Sequence, residues 1–126
     1  MDWALKLSGN QIRPVIHWPE NANLSNPASI RGGNPILFPF SARTFHKGKI
    51  ERWKGPDGVI RPMPKHGFAR DGQFEIVSAN DESISLRLLP AEQDDQAYPF
   101  NYEFVVIYWF RPLSIRVDFN LTNLGE

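Results

Sequence analysis

The sequence contains no cysteine. That excludes a disulfide framework, a thiolate nucleophile and cysteine ligation of a metal, and it fits a cytoplasmic setting. Net charge is also missing, because Lys+Arg and Asp+Glu both number 14. No broad field attracts nucleic acid or an acidic membrane, and the basic groove expected of a single-strand binder is absent. The longest apolar run, FVVIYWF at 104–110, is far too short to span a bilayer as a helix. The opening residues MDWALKLSG lack the apolar stretch of a signal peptide. No His/Cys/Asp/Glu spacing suggests a metal site, and no cofactor is implied. His17 and His46 read as surface or core residues. The last thing in short supply is helical periodicity, since no segment longer than a turn or two repeats apolar residues every 3.6 positions.

What the chain does have is strand patterning. Its 126 residues fit one domain, and 41% hydrophobic content argues against disorder. Eleven prolines and nine glycines divide short β-branched and aromatic runs. WALKL at 3–7 alternates weakly before a turn at SGNQ, and RPVIHW at 13–18 reads as a strand closed by Pro19. ENANLSNPAS is a polar loop. PILFPF at 35–40 suits a buried extended segment or a sheet edge better than a central strand, because its prolines cannot donate to a ladder. GPDG punctuates a hairpin between ERW and VIR. Strands follow at 73–79, 83–90 and 101–110, then a turn at RPLS, then IRVDFNLTN at 115–123.

In that last strand Ile115, Val117, Phe119 and Leu121 share one face, and Arg116, Asp118, Asn120 and Thr122 the other. The fold class is therefore all-β, an antiparallel β-sandwich. Phe74, Phe104 and Phe119 are expected in its core. FVVIYWF is apolar on both faces and needs cover on both, which predicts a homo-oligomer.

A few polar residues do not reduce to sheet patterning. Arg31 precedes two glycines, which permit a tight turn and a close backbone approach. Taken alone, it and Arg43 still read first as surface arginines. His66 and Arg70 lie in PMPKHGFARDG. Prolines stiffen the approach to the histidine, and small or apolar residues surround it. It is either a structural hydrogen-bonder or, beside a fixed guanidinium, part of a site for a polyhydroxylated or anionic ligand.

RGGNPILFPF, then Arg43, then PKHGFARDGQFEI, YPFNYEF and LTNLGE resemble, in order and approximate spacing over residues 29–126, the aldose 1-epimerase (galactose mutarotase) superfamily. The likeness is nearest the hexose-phosphate mutarotase-like branch. It implies a β-supersandwich with carbohydrate bound in a cleft on the concave sheet face. It implies that His66 reaches the sugar near its ring oxygen and anomeric hydroxyl. Arg70 would line the same cleft and, with Arg31, bind a sugar phosphate. Arg43 joins them as substrate-binding on the same resemblance.

Anomer exchange needs a base to take the anomeric proton and an acid to protonate the ring oxygen, after which the ring opens, the aldehyde rotates and closure reverses both transfers. A neutral imidazole can donate to that oxygen, and a guanidinium serves as anchor. In the family a second histidine and a base glutamate come from a later half of the domain. No glutamate here sits in a matching context, since Glu75 and Glu103 are in strands, Glu92 is in a polar loop and Glu126 is terminal. The expectation is a single but incomplete domain, 1–126. Three readings stand: an epimerase completed by a missing-half partner, an inactive hexose- or hexose phosphate-binding β chain, and a self-associating structural piece.

Overall fold

The computed structural model describes residues 3–26 and 29–125. The chain divides into two units, Met1–Ile36 and Leu37–Glu126. In the first, β1 (Ala4–Lys6) and β2 (Ile12–Pro14) form a short hairpin with Leu5 opposite Arg13. The strand expected over 13–18 is thus shorter and starts one residue earlier. The ladder ends at Pro14. Beyond it the Val15 and Ile16 N–H groups both bond the Trp3 carbonyl, at 2.8 and 3.4 Å. The polar loop expected at 20–29 has no strand among its described residues, and Pro27 and Ala28 lie outside them.

The second unit carries the rest of the sheet structure. β3 (Phe45–His46) pairs with β4 (Lys49–Ile50), and β5 (Arg52–Lys54) with β6 (Ile60–Pro62). GPDG turns the second of these hairpins as its composition requires. The Gly58 N–H bonds the Gly55 carbonyl at 2.9 Å, Asp57 Oδ1 accepts from the Val59 N–H at 3.0 Å, and Asp57 pairs with Arg61. That guanidinium, together with the Val59 N–H, holds the Asp57 carboxyl down at about 2.

The main sheet has four strands, β7 (Gln73–Ala79), β8 (Ser83–Leu89), β9 (Tyr102–Arg111) and β10 (Ser114–Asn123), in the order β10-β9-β8-β7 and antiparallel throughout. The one described parallel link is an isolated bridge between Phe38 and Gly67. Between β8 and β9 stands α1 (Glu92–Ala97), six residues long. Its start is fixed by Asp94, whose carboxylate accepts the Ala91 N–H at 3.0 Å. Glu92 therefore opens a helix rather than lying in a loop. No described helix is long and apolar enough to cross a membrane.

Alternation puts Leu88, Phe104, Val106 and Tyr108 on one face of the sheet, and all four are buried. The 37–40 segment lies over that face. Phe38 stacks on Phe104 at 4.4 Å and meets Phe68, Tyr98 and Tyr102 at 5.1–5.9 Å. Of PILFPF only Phe38 is buried; Pro35 is exposed and the rest are half-buried, so the segment is less buried than expected. Phe74 is only half-buried, and Phe119 is 56% exposed despite sharing the core-facing side. Alternation fixed its face, but the cover stops over β9. Phe119 rests parallel to Phe104 at 6.1 Å and meets water beyond.

The opposite face is mixed. Val105, Ile107 and Trp109 are half-buried. Arg87 reaches both Glu75 and Glu103, and Trp109 Nε1 donates to Asp118 at 2.8 Å.

Tyr102 is an exception inside the aromatic cluster. Its hydroxyl is buried with no hydrogen-bond partner among the described residues. Burial, with the negative charges of Asp94 and Asp95, pushes its phenol up to about 12 from the ordinary 10.0. A raised folded pKa means the stabilisation is complete below the unfolded value and is lost as pH climbs through the folded one. Stability measured by urea unfolding should therefore fall between about pH 10 and pH 12. Tyr102→Phe should leave stability at pH 7 unchanged or slightly higher, since it removes an unpaired hydroxyl. It should also flatten part of the alkaline loss, the remainder belonging to Tyr98 and Tyr108, which burial also raises. An alkaline limb of unchanged steepness in Tyr102→Phe would refute the assignment.

Candidate functional site

PKHGFARDG forms consecutive tight turns rather than strand or helix. The Gly67 N–H bonds the Pro64 carbonyl at 2.9 Å, Asp71 bonds Phe68 at 3.1 Å, and Gly72 bonds Ala69 at 3.2 Å. His66 occupies the left-handed region at φ 72°, and Gly67 follows at φ 73°. Histidine tolerates that region better than most side chains. Gly67 passes so close to Phe38 that an added Cβ would sit 2.0 Å from the Phe38 carbonyl oxygen. The same oxygen accepts the Phe68 and Ala69 N–H groups at 2.9 and 3.2 Å. Phe68 and Ala69 are buried there, which holds the loop on the sheet.

His66 is tied at two points. Its N–H bonds the Ala42 carbonyl at 3.0 Å, and Nδ1 lies 2.7 Å from the Ser41 carbonyl oxygen. A carbonyl only accepts, so Nδ1 carries the proton. In the neutral ring Nε2 is then an acceptor. The neutral ring is a base at Nε2, and only the imidazolium donates from that atom. The partners that set this tautomer are backbone groups of Ser41 and Ala42, and no sequence pattern marks them.

Arg70, four residues on, is mostly buried, its side chain 22% exposed. Its Nε has no hydrogen-bond partner among the described residues, and its Nη2 stands 3.8 Å from the Asp71 carboxylate. A guanidinium donor left over in this way can serve an anion or a hydroxyl. Arg43 is exposed, one residue past Ala42, and no described carboxylate pairs with it. Thr44, its neighbour, buries an Oγ1 that also lacks a described partner, a feature no sequence pattern reveals.

The second unit thus brings Arg43, His66 and Arg70 onto two adjoining segments, 41–44 and 64–72. Arg31 lies in the first unit and is exposed. Next to it Gly32 and Gly33 pack against the His17 carbonyl and the Trp18 ring, and the Gly33 N–H bonds that carbonyl at 2.7 Å. The close approach expected of the glycine pair is present.

A cleft of about 610 Å³ opens beside the same 64–72 segment, with Pro64, Phe68, Asp71, Gln73, Leu89 and Asp94 among its walls. Neither His66 nor Arg70 lines it, so it is not the arrangement built around the imidazole.

The sequence profile described as aldose 1-epimerase matches residues 9–126. The chain belongs to the aldose 1-epimerase family. It is similar to the chromosomal and plasmid LacX proteins of Lactococcus lactis subsp. lactis, each 28% identical over 100 residues, 79% of this chain and 33% of LacX. Among solved structures it is similar to the Slr1438 protein of Synechocystis sp. PCC 6803, with TM-score 0.72 and 26% identity over 91% of this chain and 40% of that one. The galactose mutarotase related enzyme of Lactobacillus acidophilus shares the fold, with TM-score 0.62 and 23% identity over 98% of this chain and 43% of that one. The chain spans about a third of the length of the LacX proteins it matches. As an aldose 1-epimerase family chain it is all-β, as its alternation requires.

Proposed function

We propose that the chain supplies a hexose- or hexose 6-phosphate-binding surface to an aldose 1-epimerase domain that interconverts α and β anomers. The observation carrying this reading is Arg70, a largely buried guanidinium whose Nε has no described partner. It stands in the same loop as an imidazole locked in one tautomer by Ser41. Arg70 anchors the phosphate or hydroxyls, with Arg43 as a further binding residue. His66 exchanges a proton through Nε2 with the anomeric hydroxyl or, once protonated, with the ring oxygen.

A second reading is an inactive carbohydrate-binding chain. Glu75 and Glu103 favour it, because both carboxylates are committed to Arg87 and neither is free to act as a base. In either reading the chain works in the cytoplasm and associates with a second copy or with a complementary half-domain.

The test is a nuclear magnetic resonance titration of the chain with glucose 6-phosphate and with glucose. The His66 ring and Arg70 Nε resonances should shift for the phosphate and more weakly for the neutral sugar. If neither ligand moves either resonance, the binding surface is not here.

A further inference from the structure

The cleft beside the 64–72 segment holds chemistry that the sugar site does not use. All of its walls come from residues 62–97, and its volume of about 610 Å³ is that of an ordinary small-molecule pocket. Phe68, Leu89 and three prolines make part of the lining apolar. Gln73, Gln93, Asp71 and Asp94 make the rest polar, and no lysine, arginine or histidine lines the space. Asp94 decides what the cleft can take. It is only 8% exposed, and Oδ2 accepts the Ala91 N–H at 3.0 Å. Its Oδ1 has no partner among the described residues and is not sealed from solvent, so it opens on the cleft that Asp94 lines. A carboxylate oxygen held in such a place without a donor is costly, and a ligand N–H would offset that cost.

We propose that the cleft binds an organic cation, a protonated amine on a compact apolar body. The ammonium bonds Asp94 Oδ1 within the field of Asp71, and the body lies against Phe68 and Leu89. An anion would be repelled by both carboxylates, and a neutral ligand would leave their charges unpaired. A bare metal ion is the poorer occupant, because no described group of three His, Cys, Asp or Glu side chains is set to hold one. Asp71 ties this cleft to the sugar site, since its carboxylate also stands 3.8 Å from Arg70 Nη2. A cation beside Asp71 offsets that negative charge, so Arg70 presents a fuller positive charge to a phosphate. By linkage the phosphate strengthens binding of the cation by the same factor. This coupling rests on the phosphate-binding role of Arg70 proposed above, whereas the cation site does not.

Trp53 supplies a reporter, because its Nε1–H donates at 2.9 Å to the carbonyl of Ala97, a wall of the cleft. The chain is titrated with benzylamine and followed by nuclear magnetic resonance. The Trp53 indole N–H and the side-chain amides of Gln73 and Gln93 should shift and saturate. Benzyl alcohol, the neutral analogue, should bind about tenfold more weakly, the loss expected for one hydrogen bond between charged groups. Asp94→Asn keeps an oxygen for the Ala91 N–H while removing the charge, and Asp71→Asn removes the other charge. Each should weaken benzylamine binding about threefold or more. If Asp94→Asn does not fold, Asp71→Asn and the benzyl alcohol comparison still decide. Equal affinity for amine and alcohol, no saturable shift with either, or full amine affinity in the folded variants would overturn the cation site. Saturating benzylamine should also tighten glucose 6-phosphate binding about threefold in the natural chain and not in Asp71→Asn. If the amine binds and the sugar phosphate affinity stays the same, the coupling is wrong and the cation site stands. If glucose 6-phosphate moves neither His66 nor Arg70, the Arg70 reading fails and takes the coupling with it, while the amine titration still upholds the cleft.

Discussion

Gly67→Ala should cost about 4 kcal/mol or more of folding stability, or abolish the cooperative transition. The added methyl would meet the Phe38 oxygen at 2.0 Å, the Phe38 carbonyl carbon at 2.4 Å and the Pro39 nitrogen at 2.6 Å. All three are backbone atoms, so no side-chain rotation relieves the contact. Moving the loop away would break the Phe68 and Ala69 hydrogen bonds to Phe38. It would also draw Phe68 off the Phe38 ring. A domain this size is stable by only about 5–15 kcal/mol in total. Gly48→Ala is the control. Gly48 has a similar φ of 77° but open space around it, so it should lose only the left-handed penalty of about 1–2 kcal/mol. Denaturant midpoints of the two variants measure the difference. Equal losses would show that Gly67 is kept for its φ alone and that the approach to Phe38 is not tight.

The Gly67 contact also marks the limit of what the sequence discloses. A glycine after a histidine in a proline-stiffened turn signals a special backbone. It does not say which segment comes close, because Phe38 lies 29 positions away and is joined only through the fold. β7 to β10 are legible because period-2 alternation and turn residues act locally, and the GPDG hairpin is legible for the same reason. RPVIHW misleads because apolar content does not guarantee a partner strand, and the ladder there stops at Pro14. α1 is invisible because six residues complete too few turns to show a period, and its N-terminal fixing comes from Asp94 reaching back to a backbone N–H rather than from a capping side chain at Ala91.

Phe119 shows a further gap. Alternation assigns a side chain to a face but not the extent of what covers that face. At the site, the residue types His66 and Arg70 are legible in HGFAR. The ring tautomer is not, because it depends on the Ser41 carbonyl, and every residue has a carbonyl.

Arg70 carries the largest expected effect on binding. A mostly buried guanidinium with an unsatisfied Nε is costly to fold around, and a phosphate would recover that cost through charge-assisted hydrogen bonds. Each such bond contributes about 1.5–3 kcal/mol, so Arg70→Met should raise the dissociation constant for glucose 6-phosphate roughly 10- to 150-fold. Binding of neutral glucose, which offers Arg70 no charge, should change by less than about threefold. Met keeps the length and apolar stem of the side chain while removing every donor. Burying it in place of an under-paired cation should leave folding stability unchanged or slightly raised, and that separates a binding role from a structural one. Arg70→Lys keeps the charge but loses the planar fork, and should recover only part of the phosphate affinity. Titration calorimetry with both sugars, alongside denaturant unfolding of each variant, reads all three quantities. If Arg70→Met destabilises the fold by several kcal/mol and weakens both sugars alike, Arg70 is a structural cation paired with Asp71, and the phosphate anchor must be sought elsewhere.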